Sequence, residues 1–398
     1  MFRKINNWLH LWMGLISGVI MLIVCLTAAI WVFNEEIKSL FHPVYHVAKS
    51  ERPLIMPSQI NQIIRDKFPG EPVNMVTYKK NRSVDVMVKK WGDNPLIVSL
   101  DPYTGKILGQ RINEDRITLF FYFMEDGHRF FWLPIKIGRP IVNYGTLMFV
   151  FLLITGLIWW YPKKWNKSTR DKSFKIKWSA KWKRINIDLH NVFGFYALLI
   201  LLILSLTGMV YGIKWYSKGL YTVTSAGEKL PDWKATNSDS TMVVKGISLD
   251  MALDKAIHTA INRYPEASGY MYRTPDTSNI KSSILVDVYP EEGKTFGNQG
   301  IYFDRHTAKE IKKDKYYAAQ FKDASFATKL RRMNYDIHVG TILGLPGKII
   351  AFIASLIGAS LPVTGFIIWY NRKFGKKSKK KKQLSDCLDS SLDKKKGR

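Results

Sequence analysis

The sequence predicts a multi-pass α-helical membrane protein with four transmembrane helices in two parallel repeats, each repeat carrying an α+β domain outside the membrane. Three observations predict it. Four apolar runs are each long enough to cross a bilayer, the cationic residues crowd into the segments beside particular ends of those runs, and the second half of the chain repeats the spacing of the first. The chain has 398 residues, with 60 Lys and Arg against 32 Asp and Glu, for a formal net charge of +28. Its two cysteines exclude a disulfide scaffold, and a 46% hydrophobic content excludes disorder of the whole chain. A basic excess of this size points to nucleic acid or to an anionic membrane surface. The apolar runs decide for the membrane and against nucleic acid.

The runs are Leu9 to Phe33, Ile141 to Tyr161, Leu189 to Ile213 and Ile349 to Tyr370. About 20 apolar residues in a helix cross the ~30 Å hydrocarbon layer. The first run follows Arg3 and Lys4, as a signal peptide would. It is longer than the h-region of a signal peptide and a close copy recurs inside the chain, so it is expected to be retained.

Charge bias sets the topology. Pro162 to Asp188 carries ten Lys and Arg, and the tail from Asn371 carries twelve, including Lys379 to Lys382. With Arg3 and Lys4 these short segments hold +19 of the +28. Both termini are therefore expected on the cytoplasmic side, the basic tail serving as a solvated segment that meets anionic lipid. The predicted organisation is helix one in residues 1–35, an outer domain in 36–127, an outer histidine segment with helix two in 128–161 and a basic loop in 162–188. Helix three follows in 189–214, a second outer domain in 215–337, a second outer histidine segment with helix four in 338–370, and the basic tail in 371–398. Cys25 in helix one and Cys387 in the tail cannot meet, so packing alone must hold the outer domains.

The duplication is legible in spacing. His10, Gly14 and Thr27 recur 180 residues later as His190, Gly194 and Thr207, and Asn6 as Asn186. Helix two ends in Thr155-Gly156 and Trp160-Tyr161, helix four in Thr364-Gly365 and Trp369-Tyr370. Both halves enter the membrane in the same direction, which makes the repeat parallel. Within the outer segments, residues 57–68 have helical spacing after Ser58 as a candidate N-cap, and Ser248 caps a helix from Leu249 to Tyr264. Strands are expected at Val84 to Val88, Leu96 to Leu100, Ser283 to Tyr289 and Gly300 to Phe303. Asp101-Pro102-Tyr103-Thr104-Gly105-Lys106 and its counterpart Asp304 to Lys309 are turns. Helix, strands and a terminal Asp-x-x-Thr-Gly-Lys turn together resemble the PepSY domain.

Four of the eight histidines carry the functional argument. His10 and His190 begin helices one and three at the inner end; His128 and His338 precede helices two and four at the outer face. Topology thus sorts them into one pair per side of the membrane. Ionisable residues at spans are costly and mark function, and imidazole is a metal and haem ligand. Two histidines from two helices form an axial pair, and Gly14 and Gly194, four residues on, leave room for a flat macrocycle. A zinc site finds no Cys or carboxylate to complete a tetrahedron. The alternatives are an interfacial role and a proton relay; a relay wants Asp or Glu inside the helices, and none is there. His42, His46, His258 and His306 break the repeat and are read as surface or turn residues, and the tryptophans of the span ends as an interfacial belt.

Residues 9–15, Asp188 to Gly194, Asp126 to Arg129, and Ile337 to Gly340 with Gly344-Leu345-Pro346-Gly347 resemble the PepSY-associated transmembrane helix family, which includes iron-regulated inner-membrane proteins and ferric-siderophore reductases of bacteria. The resemblance runs from Arg3 to about Lys373. It implies a bacterial inner-membrane protein with two haem b groups, one near each face. Electrons would pass outward to reduce a ferric siderophore or similar chelate in the periplasm for iron acquisition. On that reading His10 and His190 hold the inner haem and His128 and His338 the outer one, with Gly14 and Gly194 beside the inner site. No Gly-x-Gly-x-x-Gly fingerprint follows a strand, so the electron donor is expected to be a separate reductase or a membrane quinol. Arg129, Trp132, Tyr316 and Tyr317 are candidates for the surface that meets the chelate. A different class of function is a non-enzymatic anchor whose PepSY-like domains bind or restrain a periplasmic peptidase or other partner. The histidine quartet discriminates, since an anchor has no use for one pair in each leaflet.

Overall fold

The computed structural model describes residues 1–89, 94–232, 236–242, 246–312 and 320–375. The described residues divide into two compact units, one made of residues 1–32, 123–213 and 348–375, the other drawn from 33–122 and 214–347.

The first unit is helical. Its four long helices are span one (Phe2–Trp31), span two (Ile135–Trp160), span three (Trp182–Gly212) and span four (Gly344–Lys373). Each is long and apolar enough to cross a membrane. Spans one and three begin seven residues before the apolar runs at Leu9 and Leu189. Hydropathy marks the part of a helix that needs hydrocarbon around it, whereas the helix itself continues through polar turns into the interface. The basic loop is likewise more structured than expected. It carries a helix, Lys167–Phe174, started by the Asn166 side chain, which accepts from the Thr169 backbone. The fully buried Asp188 then ties the loop down, accepting from the Lys177 backbone and pairing with Arg184 at 2.7 Å.

Between the spans, Met21, Cys25, Phe149, Leu153, Ala197, Leu201, Ala354 and Ala359 form one cluster. Lipid offers no hydrophobic drive for helices to associate, so close approach and dispersion must do it. Gly358 shows how close that approach is: a Cβ there would lie 3.0 Å from both Cys25 Sγ and a Leu201 methyl.

The second unit is a sheet covered by two helices. Strands β1 (Val73–Lys79), β2 (Val84–Val88), β3 (Leu96–Leu100), β4 (Ile107–Ile112), β5 (Gly269–Arg273), β6 (Ile284–Tyr289) and β7 (Gln299–Phe303) form one antiparallel sheet in the order β4-β3-β2-β1-β5-β6-β7. Helices α1 (Pro57–Lys67) and α2 (Leu249–Arg263) bury Ile60, Ile64, Leu253 and Ile257 against Val76, Val86, Tyr272 and Val286 of the sheet. The sequence predicts an α+β domain in each outer segment. The strands of the two segments instead continue into each other through the β1–β5 pair, with Thr77 opposite Met271. One core serves both.

The predicted strands at 84–88 and 96–100 are found at those bounds. The joining strands β1 and β5 are absent from the sequence reading. Asn74, Thr77, Gly269 and Arg273 interrupt their apolar alternation, and long-range pairing rather than local pattern stabilises them. Ser58 is not the N-cap expected of it. The N-cap is Met56 and helix α1 starts two residues earlier than a Ser58 cap would put it, at Pro57, the first helical position that proline favours. Ser58 instead donates its backbone N–H and hydroxyl to Asp254 of α2. Ser248 does cap α2 through Met251.

The two aspartate turns share one device. Asp101 Oδ1 accepts from the backbone of Tyr103 and Thr104, and Asp304 Oδ1 from His306 and Thr307. The second oxygen of Asp304 also accepts from the Asp239 backbone. Partial burial opposes the Asp304 charge, but the donors at Asp239, His306 and Thr307 outweigh it and hold the carboxyl below the usual carboxylate range. A depressed folded value contributes stability above the unfolded value of about 3.9, and loses it as pH falls through the folded one. The sheet unit is therefore expected to lose melting temperature on acidification below about pH 4. Asp304→Asn, which places an NH2 against the Asp239 N–H, is expected to cost about 1–3 kcal/mol at neutral pH and to flatten that acid dependence. Thermal unfolding followed by circular dichroism across pH checks both.

Candidate functional site

The helical unit forms a half-open cavity of about 830 Å³ near the end where span one begins, lined mostly by Leu, Phe and Trp side chains and by glycines. Cofactor and ligand pockets occupy roughly 300–1,000 Å³. His10 and His190 both line it, as do Gly14 and Gly194.

Each histidine is held by the span that follows it in the chain. His10 Nδ1 lies 3.0 Å from Thr155 Oγ1, and His190 Nδ1 lies 2.9 Å from Thr364 Oγ1. Each threonine hydroxyl has one proton, and it goes to the helix backbone. Thr155 donates to Phe151 O at 2.8 Å and Thr364 to Ser360 O at 2.9 Å. The hydroxyl oxygen must therefore accept from the ring, which puts the imidazole proton on Nδ1 and leaves Nε2 with its lone pair. One helical turn before each histidine, Asn6 and Asn186 donate to the backbone carbonyls of the same Thr155 and Thr364, at 3.0 and 3.1 Å. Gly156 and Gly365 follow those threonines, and a Cβ at either would stand 3.2 Å from the Cε1 of the adjacent ring. Thr-Gly thus supplies both an acceptor for the imidazole and the space that admits it.

The two rings face a common space with centroids 6.4 Å apart and planes at 87°. Among the described residues no group of three or more His, Cys, Asp and Glu gathers as a metal site. The pair offers two imidazole nitrogens to one space. At Gly14 and Gly194 an added Cβ would meet only a leucine methyl, at 3.7 and 3.5 Å. Small residues are not required there by neighbouring protein; their effect is to widen the cavity.

His128 lies on the helix Arg116–Phe130, and its Nδ1 donates to Val24 O of span one at 2.9 Å. Burial pushes this imidazole below its usual range, so it is neutral at pH 7. The chain after it turns sharply, with Phe131 and Trp132 both in the left-handed region at φ 58° and 55°. Span two then crosses so close that a Cβ at Gly138 would lie inside the Phe130 carbonyl. His338 belongs to the other unit, on the helix Phe326–Val339. Two residues before it, the fully buried Asp336 accepts from the Thr295 and Phe296 backbones and the Thr341 hydroxyl.

Of the four residues proposed for chelate contact, Arg129 pairs with Glu125 at 2.7 Å and lies over the Phe130 ring. Trp132 stacks on Phe123 at 5.0 Å and donates its indole N–H to Phe123 O. Both have local structural work. Tyr316 and Tyr317 lie outside the described residues. The sequence reading passed over Asn6, Asn186, Thr155, Thr364, Gly156 and Gly365 as site residues, although the duplication displayed every one of them. What it lacked was the knowledge that each Thr-Gly pair stands beside a histidine 145 or 174 residues away. Among the other histidines, His42 pairs with Asp115 at 2.7 Å and His306 bonds Ile280 O, in keeping with local roles.

Thr155→Val and Thr364→Val each leave a ring N–H without its acceptor, and each is expected to destabilise the helical unit by about 1–3 kcal/mol. Gly365→Val, which fills the place of the His190 ring edge, is expected to be worse than Thr364→Val. Detergent-solubilised thermal unfolding followed by tryptophan fluorescence ranks them.

The profile of the family described as the PepSY-associated TM region matches residues 7–372, and the chain belongs to that family. No curated protein matches the chain.

Proposed function

We propose that this member of the PepSY-associated transmembrane family is a di-haem b oxidoreductase of the bacterial inner membrane, with both termini cytoplasmic, that passes electrons outward to a ferric chelate such as a siderophore. Two parallel repeats, each with a PepSY-like periplasmic part, make up the chain on this reading.

The observation that carries it is the His10–His190 pair. The two imidazoles would each offer Nε2 to a haem iron across the space that separates the rings. The observed separation is 6.4 Å, with Nδ1 of each ring engaged and Nε2 left as the donor. The apolar cavity and the glycines beside each ring accord with a flat macrocycle between them. A bound haem would supply one-electron chemistry between ferric and ferrous iron. The chain itself fixes ring orientation through Thr155 and Thr364 and lines the space around the rings with Leu, Phe and Trp.

The electron comes from a separate donor, a reductase or a quinol. It converts the chelated Fe(III) to Fe(II), which hard oxygen ligands hold less tightly, so iron is released. The net cationic outer segments favour an anionic chelate.

The purified protein is expected to show sharp reduced α and Soret bands with dithionite and about two haem b per chain. His10→Ala and His128→Ala are each expected to remove one haem, and a different one. A colourless protein after expression with ample haem overturns the reading and leaves the partner-binding anchor in its place.

A further inference from the structure

The cavity around His10 and His190 is framed alike on its two sides but lined differently. Among the described residues, Arg372 and Lys373 are the only charged ones in its lining, both from the last turn of span four. Counting from the matching Thr155 and Thr364, the corresponding residues after span two are Lys163 and Lys164, and neither reaches the cavity. One residue accounts for the difference. Span two meets Pro162, which cannot continue the helix and pushes the residue before it out of the α region. Tyr161 is accordingly extended, at φ −68° and ψ 118°, and span two stops at Trp160. Span four has Asn371 at the matching place and runs on to Lys373. On the span-two side the cavity is closed instead by Trp160 stacked on Phe195 at 3.8 Å and 8°, backed by Phe174. Leu15 stands where Phe195 would be in the first half.

We propose that Arg372 and Lys373 bind the carboxylates of the cavity's occupant and so fix which way round it sits, with its anionic edge toward the end of span four. This rests on the haem reading, in which those carboxylates are the two propionates on one edge of an otherwise apolar macrocycle. The Arg372 guanidinium offers a planar fork matched to a carboxylate, and Lys373 a point charge. The Lys373 ammonium lies 5.3 Å from the Trp369 ring centre and 5.5 Å from that of Phe374, contacts that hold it at the rim. Lys163 and Lys164 have no such task. The competing source of the same chemistry is an anionic lipid headgroup, which interfacial cations also meet.

The test compares haemin with haemin dimethyl ester, which lacks the negative charges. The full-length protein is loaded with each, and the rate of loss to excess apomyoglobin is followed optically. For the unaltered chain, one phase of loss is expected to be on the order of tenfold faster for the ester. Arg372→Gln/Lys373→Gln is expected to speed that phase for haemin by a similar factor and leave the ester unaffected, whereas Lys163→Gln/Lys164→Gln changes neither. A merely structural role at the end of span four would speed haemin and ester alike, and that result overturns the proposal. So does haemin loss unchanged in the Arg372→Gln/Lys373→Gln variant, which assigns these cations to lipid. If the unaltered chain binds neither haemin nor its ester, the haem reading itself fails and takes this inference with it. The ester comparison needs no substitution, so a variant that misfolds does not spare the proposal.

Discussion

The helical unit depends on one hydrogen bond made twice, from an imidazole Nδ1 to a threonine hydroxyl. Among leucines and phenylalanines a ring N–H has no water to turn to, and leaving it unpaired costs several kcal/mol on the scale of polar groups in hydrocarbon, about 2–7 kcal/mol. Thr155 and Thr364 remove that cost, and because each gives its own proton to the preceding turn, the direction of donation is forced. The tautomer of each histidine thus follows from the way a threonine sits in an α-helix. Asn6 and Asn186 bond the carbonyls of the same threonines, so the pairing of span one with span two, and of span three with span four, is fixed in axial register as well. Register matters because Gly156 and Gly365 come opposite a ring, where a Cβ would crowd it at 3.2 Å.

The sheet unit answers a different constraint. A four-stranded and a three-stranded piece would each expose an extra edge, a row of unpaired N–H and C=O groups open to other chains. Pairing β1 with β5 removes two such edges and merges two small cores into one. Bonds between Ser58 and Asp254, and between Asn61 and Asp250, join the two helices above the same seam. Small cores gain disproportionately from such merging, because buried fraction rises with size.

Much of this was legible in the chain, and what was not has a physical cause. Four spans are visible because crossing hydrocarbon demands a long uninterrupted run. Strands β2 and β3 are visible because alternation and the Asp101 turn are local signals. Strands β1 and β5 are not, since Asn74, Thr77 and Arg273 blur the pattern and the pairing partner lies some 190 residues away. His10 and His190 could be singled out by duplication alone, and the structure brings them to one cavity. The helix that begins at Trp182 rather than Leu189 shows the limit of hydropathy, which reports solvent preference and not hydrogen bonding.

Spans one and three agree at Asn6 and Asn186, His10 and His190, Gly14 and Gly194, Thr27 and Thr207 and at several aliphatic positions such as Ile20 and Ile200, and differ at most of the rest. Directional groups explain the agreement at the polar positions: a hydrogen bond tolerates a few tenths of an ångström, and a Cβ in place of Gly156 or Gly365 would crowd a ring at 3.2 Å. Apolar filling tolerates exchange of shape as long as volume is kept. Selection on such a frame leaves the lining free to differ from side to side. Leu11 stands opposite Asn191, and Leu15 opposite Phe195. Asn191 lines the cavity with an amide oxygen that has no protein partner among the described residues. A strictly two-fold cavity would hold an occupant in two equivalent ways; differences confined to the filling remove that degeneracy while leaving the two ring positions untouched.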